Sequence, residues 1–164
     1  MSEIHPFKAL RPDAAAAAEV ASVPYDVVNT EEARALAAGH PLSFLHVTRS
    51  EIDLPPGTNP YDSTVYEQAV RNFEDLKRAA PMVMDEEPSL YCYRLRMGAH
   101  EQVGWSGCFS VAEYERGAIK KHEKTRKDKE DDRTKHLLAQ AAHAEPVFLT
   151  YRATDAIDAR VANV

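Results

Sequence analysis

Between Gly117 and Arg133 the chain gathers seven basic side chains and one imidazole: Lys120, Lys121, His122, Lys124, Arg126, Lys127, Lys129 and Arg133. Arginine presents a planar fork of donors for two oxygens, lysine a mobile ammonium, and histidine a group that titrates near neutrality, so the set suits phosphate or carboxylate groups. Read as a site, Lys120, Arg126, Lys129 and Arg133 would hold phosphate oxygens. Glu123 would act as general base, with His122 and Asp26 as further catalytic groups, and Asp128 could carry magnesium. A nucleotide phosphate donor is the matching cofactor, although no glycine-rich phosphate loop or dinucleotide fingerprint is present. The same letters also describe a solvated helix face of alternating charge. What separates the two readings is whether the bases meet in space around one anion.

Other chemistries fit less well. His122-Glu123-Lys124-Thr125-Arg126 begins like the His-Glu-x-x-His zinc motif but puts Arg126, which has no lone pair to give, at the second ligand position. His136 and His143 lie too far along the chain to replace it, so no zinc is expected. The basic residues are interrupted by Glu123, Asp128, Glu130, Asp131 and Asp132 in a chain of net charge −6. That pattern favours a small phosphorylated or hydroxylated molecule and argues against nucleic acid. Ser106, in Gly104-Trp105-Ser106-Gly107, lacks the nucleophile-elbow pattern.

These residues need a scaffold, and the sequence suggests one. Asp13 precedes an alanine run, Ala14 to Ala18, that can form one or two helical turns. Thr30 reads as an N-cap with Glu31 and Glu32 in the first turn, and Gly39 as the stop. Leu42 to Val47 is expected to be a strand. Thr64-x-x-Glu67 reads as a capping box for a helix through Ala79, on which Tyr66, Ala69, Val70, Phe73 and Leu76 recur at helical spacing. Ser89 to Met97 and Glu101 to Val111, joined at Gly98-Ala99-His100, form a hairpin. Ser110-x-x-Glu113 caps a short helix ended by Gly117. Asp128 is the expected N-cap of a helix to about His143 whose apolar face is Leu137, Leu138, Ala141 and Ala142. Pro146 to Tyr151 reads as a central strand, and a last helix starts at Asp155.

Together these elements predict an α+β domain: a small mixed β-sheet with a β-hairpin, packed against several helices. With 164 residues and 44% hydrophobic side chains, one modest core is expected over residues 1–164, its large members being Phe7, Phe44, Phe73, Trp105, Phe109 and Phe148. Residues 155–164 read as a linker helix towards a further region, or as a homodimer contact, because Ile157 and Val161 need cover. Cys92 and Cys108 read as free thiols. No segment has the length to span a bilayer and the N-terminus lacks a basic leader with an apolar run, which makes a cytoplasmic protein with no membrane partner the expectation.

Pro24-Tyr25-Asp26-Val27-Val28, Asn59-Pro60-Tyr61, Tyr91-x-Tyr93, and Gly117-x-Ile119-x-x-His122-Glu123-x-Thr125 with Lys129-x-x-x-Arg133 occur in an order that resembles the N-terminal part of the family called domain of unknown function 1015. The resemblance runs from Ile4 to about Tyr151 and marks Pro24 to Val28 and Gly117 to Arg133 as signature positions. It implies a longer architecture, with a C-terminal domain beyond this chain. A more distant similarity, to ParB-like domains that include kinases of free serine, implies phosphotransfer to a small hydroxylated metabolite. A binding module for a phosphorylated metabolite or anionic partner, without turnover, is the alternative.

Overall fold

The computed structural model describes residues 2–122 and 124–162. In chain order the elements are β1 (Ile4–His5), β2 (Leu10–Pro12), α1 (Ala17–Val20), a 3-10 turn at Tyr25–Val27, α2 (Thr30–Ala37), α3 (Leu45–Thr48), a second 3-10 turn at Ser50–Asp53, and α4 (Ser63–Ala79). There follow β3 (Met82–Met84), β4 (Tyr91–Met97), β5 (His100–Ser106), β6 (Cys108–Phe109), α5 (Val111–Glu115), α6 (Lys127–Gln140) and α7 (Asp155–Val161). The class is α+β. Its strands pair two by two, β1 with β6, β2 with β3 and β4 with β5. No helix among the described residues is long and apolar enough to cross a membrane.

The chain divides into two compact units, one of Met1–Ala9, Met84–Lys124 and Val147–Val164, the other of Leu10–Val83 and Thr125–Pro146. In the first unit the β4–β5 hairpin turns through Gly98 and Ala99 and pairs Met97 with His100 through to Tyr91 with Ser106. Gly98 has φ +60, the geometry a two-residue hairpin turn asks of its first residue. Gly107 is a close approach: a Cβ there would lie 2.6 Å from Ile4 Cγ1 and 2.8 Å from Leu90 Cδ2. Ser110 caps α5 by accepting from the Glu113 amide, and Gly117, at φ +74, ends the turn that follows. Cys92 and Cys108 are free.

The second unit holds two small apolar clusters. Ala16, Val20, Val47, Leu76 and Ala80 form one, with Phe44, Phe73 and Met82 against it. Ala33, Ala37, Leu45 and Ile52 form the other, with Val28. These clusters explain why Leu42 to Val47 is not the expected strand. A single helical turn at α3 sends Leu45 to one cluster and Val47 to the other, and a segment apolar on opposite sides is buried all round.

Several local expectations move by a residue or more. Asn29, not Thr30, caps α2, in a reciprocal box with Glu32. Asp62, not Thr64, caps α4, because its carboxylate accepts from the Thr64 amide at 3.0 Å. Asp128 is not the cap of α6. Arg126 holds that position, and the helix ends at Gln140 with Ala141 left-handed at φ +50. Residues 146–151 form neither strand nor helix, so the expected central strand is absent there, and Val147 and Phe148 are 83% and 70% exposed. Leu138 is also exposed, because α6 buries Asp132 and His136 instead of its leucines.

Candidate functional site

The basic stretch is shared between the two units. In the first, Lys120, Lys121 and His122 are exposed, and Lys121 Nζ sits 4.7 Å from the centre of the Tyr114 ring. Glu123, the expected base, lies outside the described residues. In the second, Arg126 precedes α6 and donates from Nε and Nη2 to the two carboxylate oxygens of Asp128, at 3.1 and 2.7 Å, with its side chain 73% exposed. The same contact holds the Asp128 carboxyl below the usual range. Magnesium at Asp128 would have to compete with that arginine, and no group of three metal-capable side chains occurs among the described residues. Lys127 pairs with Asp131 one turn on. The start of α6 is thus a solvated face of matched charges.

One turn further the character changes. Lys129 and Arg133, four residues apart, share a face of α6, and each meets a tyrosine. Lys129 Nζ donates to the Tyr61 hydroxyl at 3.0 Å, and the Arg133 guanidinium lies 4.1 Å from the centre of the Tyr25 ring, in cation–π range. Arg133 is held by two carboxylates. Its Nη1 donates to both oxygens of Glu145 at 2.9 and 3.1 Å, while Nη2 and Nε donate to Asp132 Oδ2 at 2.6 and 3.1 Å. The other Asp132 oxygen accepts from the Tyr66 hydroxyl of α4 at 2.9 Å. Glu145 reaches this point because the left-handed Ala141 reverses the chain after α6.

His136 completes the cluster. It stands edge-on to Tyr66, ring centres 4.9 Å apart, is only 7% exposed, and its Nδ1 is buried with no hydrogen-bond partner among the described residues. Thr48, Arg133, His136, Gln140, His143 and Glu145 line a cavity of about 80 Å³. Burial, then the Arg133 charge, brings the His136 pKa down to about 4, so the ring is neutral at pH 7. Burial raises the Glu145 carboxyl against the pull of Arg133, and the nearby Asp26 and Asp132 charges add to the rise. Tyr66 is pushed up to about 12 by burial and by its bond to Asp132. Burial works against the charge on Arg133, but its bonds to Asp132 and the charge of Glu145 outweigh it and raise its pKa.

Of the residues expected from sequence, the second unit therefore brings Lys129, Arg133 and the signature pair Tyr25-Asp26 into one neighbourhood. Tyr66, Asp132, His136 and Glu145 were not expected as site residues. Asp132 and His136 are four apart on one helical face, a spacing that identifies them once α6 is placed. Glu145 carries no such signal.

A second imidazole in this unit has different surroundings. His46 Nδ1 lies 3.0 and 2.9 Å from the two Asp53 oxygens, and Asn72 Nδ2 donates both to Asp53 at 2.7 Å and to the His46 carbonyl at 2.6 Å. Gln68 in turn donates to Asn72 Oδ1 at 2.7 Å. The Asp53 bond raises the His46 pKa against partial burial, and the His40 backbone adds to the rise. Nε2 is buried and makes no hydrogen bond of good geometry. An open cavity of about 370 Å³ beside this pair is lined by Arg34, Gly39, His40, Pro41, His46 and Asp53. Arg34 is itself committed, to the Ile52 carbonyl and to Glu31.

A family model described as "Protein of unknown function (DUF1015)" matches residues 4–164. No curated protein and no solved structure matches the chain.

Proposed function

The chain belongs to the DUF1015 family, and we propose that it binds a small phosphorylated or otherwise anionic metabolite at Arg133, with Lys129 as the second cation. The observation that carries this reading is the guanidinium itself. It is laid on Tyr25, fixed on one side by Asp132, and bonded on the other through Nη1 to both oxygens of a carboxylate from a returning loop. Charge-assisted bonds from an arginine nitrogen also hold phosphates and ligand carboxylates, so Glu145, bonded through Nη1 alone, occupies the place of a ligand's anionic group. Asp132 is held by Tyr66 as well as by Arg133, whereas Glu145 makes only the Arg133 contact among those described. Glu145 is the partner an incoming anion would displace.

The second reading is transfer of a phosphoryl group from a nucleotide to a small hydroxylated metabolite, with magnesium. Its support is the raised pKa of Glu145 beside Asp26, since a carboxyl moved towards neutrality is suited to accept a hydroxyl proton. In this reading Glu145 takes the role of general base, and Lys129 and Arg133 of the same unit act on the phosphates.

Calorimetric titration of the protein with a panel of phosphomonoesters tests the first reading. Arg133→Lys, which keeps the charge and loses the fork, should weaken binding at least tenfold, while Arg126→Ala should not change it. Binding that is indifferent to Arg133 overturns the assignment. Transfer of labelled phosphate from nucleotide tri- and diphosphates to small alcohols tests the second, with Glu145→Gln and Glu123→Gln compared with the parent. Transfer unaffected by either variant removes the proposed bases.

A further inference from the structure

We infer that residues 141–146 are an arm that holds the Arg133 site closed, with Glu145 as an internal stand-in for the ligand, and that an anion binds by taking the guanidinium and releasing the arm. This regulation rests on the binding reading given above. Two features of the arm lead to it: the single point at which it is attached, and what opposes its closed position.

Among the described residues, no backbone amide or carbonyl of 142–146 takes part in a hydrogen bond, and the contacts from Arg133 Nη1 to the two Glu145 oxygens, at 2.9 and 3.1 Å, are the segment's only hydrogen bonds. The arginine is fixed independently of them. Its Nη2 and Nε donate to Asp132 Oδ2, Asp132 is bonded in turn to Tyr66, and the guanidinium lies on the Tyr25 ring. When an anion competes for Nη1, the cation therefore stays and the arm yields. Ala142, His143, Ala144 and Glu145 also line the cavity of about 80 Å³ that Arg133 borders, so departure of the arm uncovers both the donor and the space beside it.

Three effects oppose the closed position. Ala141, which turns the chain back towards Arg133, sits at φ +50, where an L side chain crowds the neighbouring carbonyl and glycine does not. The Glu145 side chain is 29% exposed, so its carboxylate has given up much of its water, and Arg133 is its one direct partner among the described residues. The Asp26 and Asp132 charges act against the Glu145 charge as well. One charge-assisted contact thus holds the arm against strain, desolvation and two like charges. A free anion makes the same kind of bond to Nη1 without the left-handed turn, and Glu145 regains water as it leaves. The apparent affinity for an anion is the intrinsic one reduced by the fraction of molecules whose arm is open, so a change at Ala141, which carries no charge, alters binding in a direction set by the turn alone.

Calorimetric titration of the full chain with methyl phosphate, across a series at position 141, tests the arm. Ala141→Gly adopts the left-handed turn without strain, favours the closed arm, and should weaken binding about fivefold. Ala141→Val, at an exposed position where a β-branched residue is more strained than alanine, should open the arm and tighten binding about threefold. A nitroxide attached to His143→Cys, in a Cys92→Ser, Cys108→Ser background, should give a sharper spectrum when methyl phosphate saturates the site. The same label should be sharper in Ala141→Val than in Ala141→Gly before any ligand is added. Equal affinities of the parent and both position-141 variants, or a label that methyl phosphate leaves unchanged, with binding still dependent on Arg133, overturns the arm and leaves the site standing. Methyl phosphate that binds neither the parent nor Ala141→Val, or binds Arg133→Lys as well as the parent, overturns the site beneath it.

Discussion

His46 and His136 lie in the same compact unit, each beside an aspartate, yet their surroundings move their pKa values in opposite directions. Asp53 gives both oxygens to His46 and is itself braced by Asn72, so the imidazole's pKa is raised. Asp132 gives its oxygens to Tyr66 and Arg133, and the arginine charge beside His136 adds to the cost of burial, so the ring is neutral. Proximity of a carboxylate does not decide the charge of a histidine. What decides it is whether the carboxylate's lone pairs are still available. In the first arrangement the carboxylate is given to the imidazole and in the second it is spent elsewhere, while each ring keeps one buried nitrogen without a well-formed hydrogen bond.

The sharpest way to break this contrast is to remove the arginine that creates it. Arg133→Met would strand Asp132 and Glu145, both largely buried, without a counter-charge. Breaking a buried pair from one side costs about 3–5 kcal/mol, and urea unfolding should show a loss of that order. Adding Glu145→Gln should restore part of the loss, because one stranded charge is gone. A loss below about 1 kcal/mol would place Arg133 with ordinary surface pairs and remove the distinction between the two clusters.

The acid limb of stability sharpens it next. A histidine whose folded pKa is depressed binds its proton more readily when unfolded, so stability falls as pH drops below 6.5 and levels off below about 4. The shift corresponds to about 3 kcal/mol at one proton and 1.36 kcal/mol per unit. His136→Phe should flatten the urea midpoint between pH 6.5 and 4, a slope the parent should show clearly. An unchanged slope would mean that His136 is not held neutral by burial and Arg133.

His46 should govern the other limb, with a smaller effect. Its folded pKa is raised, so its contribution is fully present below pH 6.5 and is lost as pH rises through the folded value. His46→Gln should therefore destabilise the protein more at pH 6 than at pH 8.5. Equal destabilisation at both would show that the Asp53 contact is a neutral hydrogen bond rather than an ion pair.

Why the two clusters were unequally legible in sequence follows from what carries each signal. Hydrophobic period and turn residues carry the fold, and they identified α2, the long α4, the β4–β5 hairpin and the stops at Gly39 and Gly117. They failed where packing is two-sided, as at α3, and where an apolar run stays exposed, as at residues 146–151. Caps shifted by one residue at Asn29 and by two at Asp62, because each stands just before an equally plausible threonine. In α6 the pattern misled for a deeper reason. The buried positions are Asp132 and His136, so a search for apolar faces assigns the wrong side of the helix to the core. The basic letters of 120–133 were conspicuous, but the partner that organises Arg133 is Glu145, delivered by a left-handed alanine that no sequence rule selects.

The smallest effect belongs to Arg126, and it tests where the site ends. Arg126 carries the same guanidinium as Arg133 and donates to both oxygens of Asp128, but at the exposed surface. A fully solvated pair gains little attraction in high dielectric and gives up side-chain freedom to form, whereas Arg133 is fixed by Tyr25, Asp132 and Glu145 before any ligand arrives. Arg126→Ala should leave the urea midpoint within measurement error and leave methyl phosphate affinity unchanged, in contrast to Arg133→Lys. If Arg126→Ala weakened the ligand as much as Arg133→Lys does, the anion would be recognised by exposed charge along the whole basic stretch, and burial would no longer be what separates a binding arginine from a decorative one.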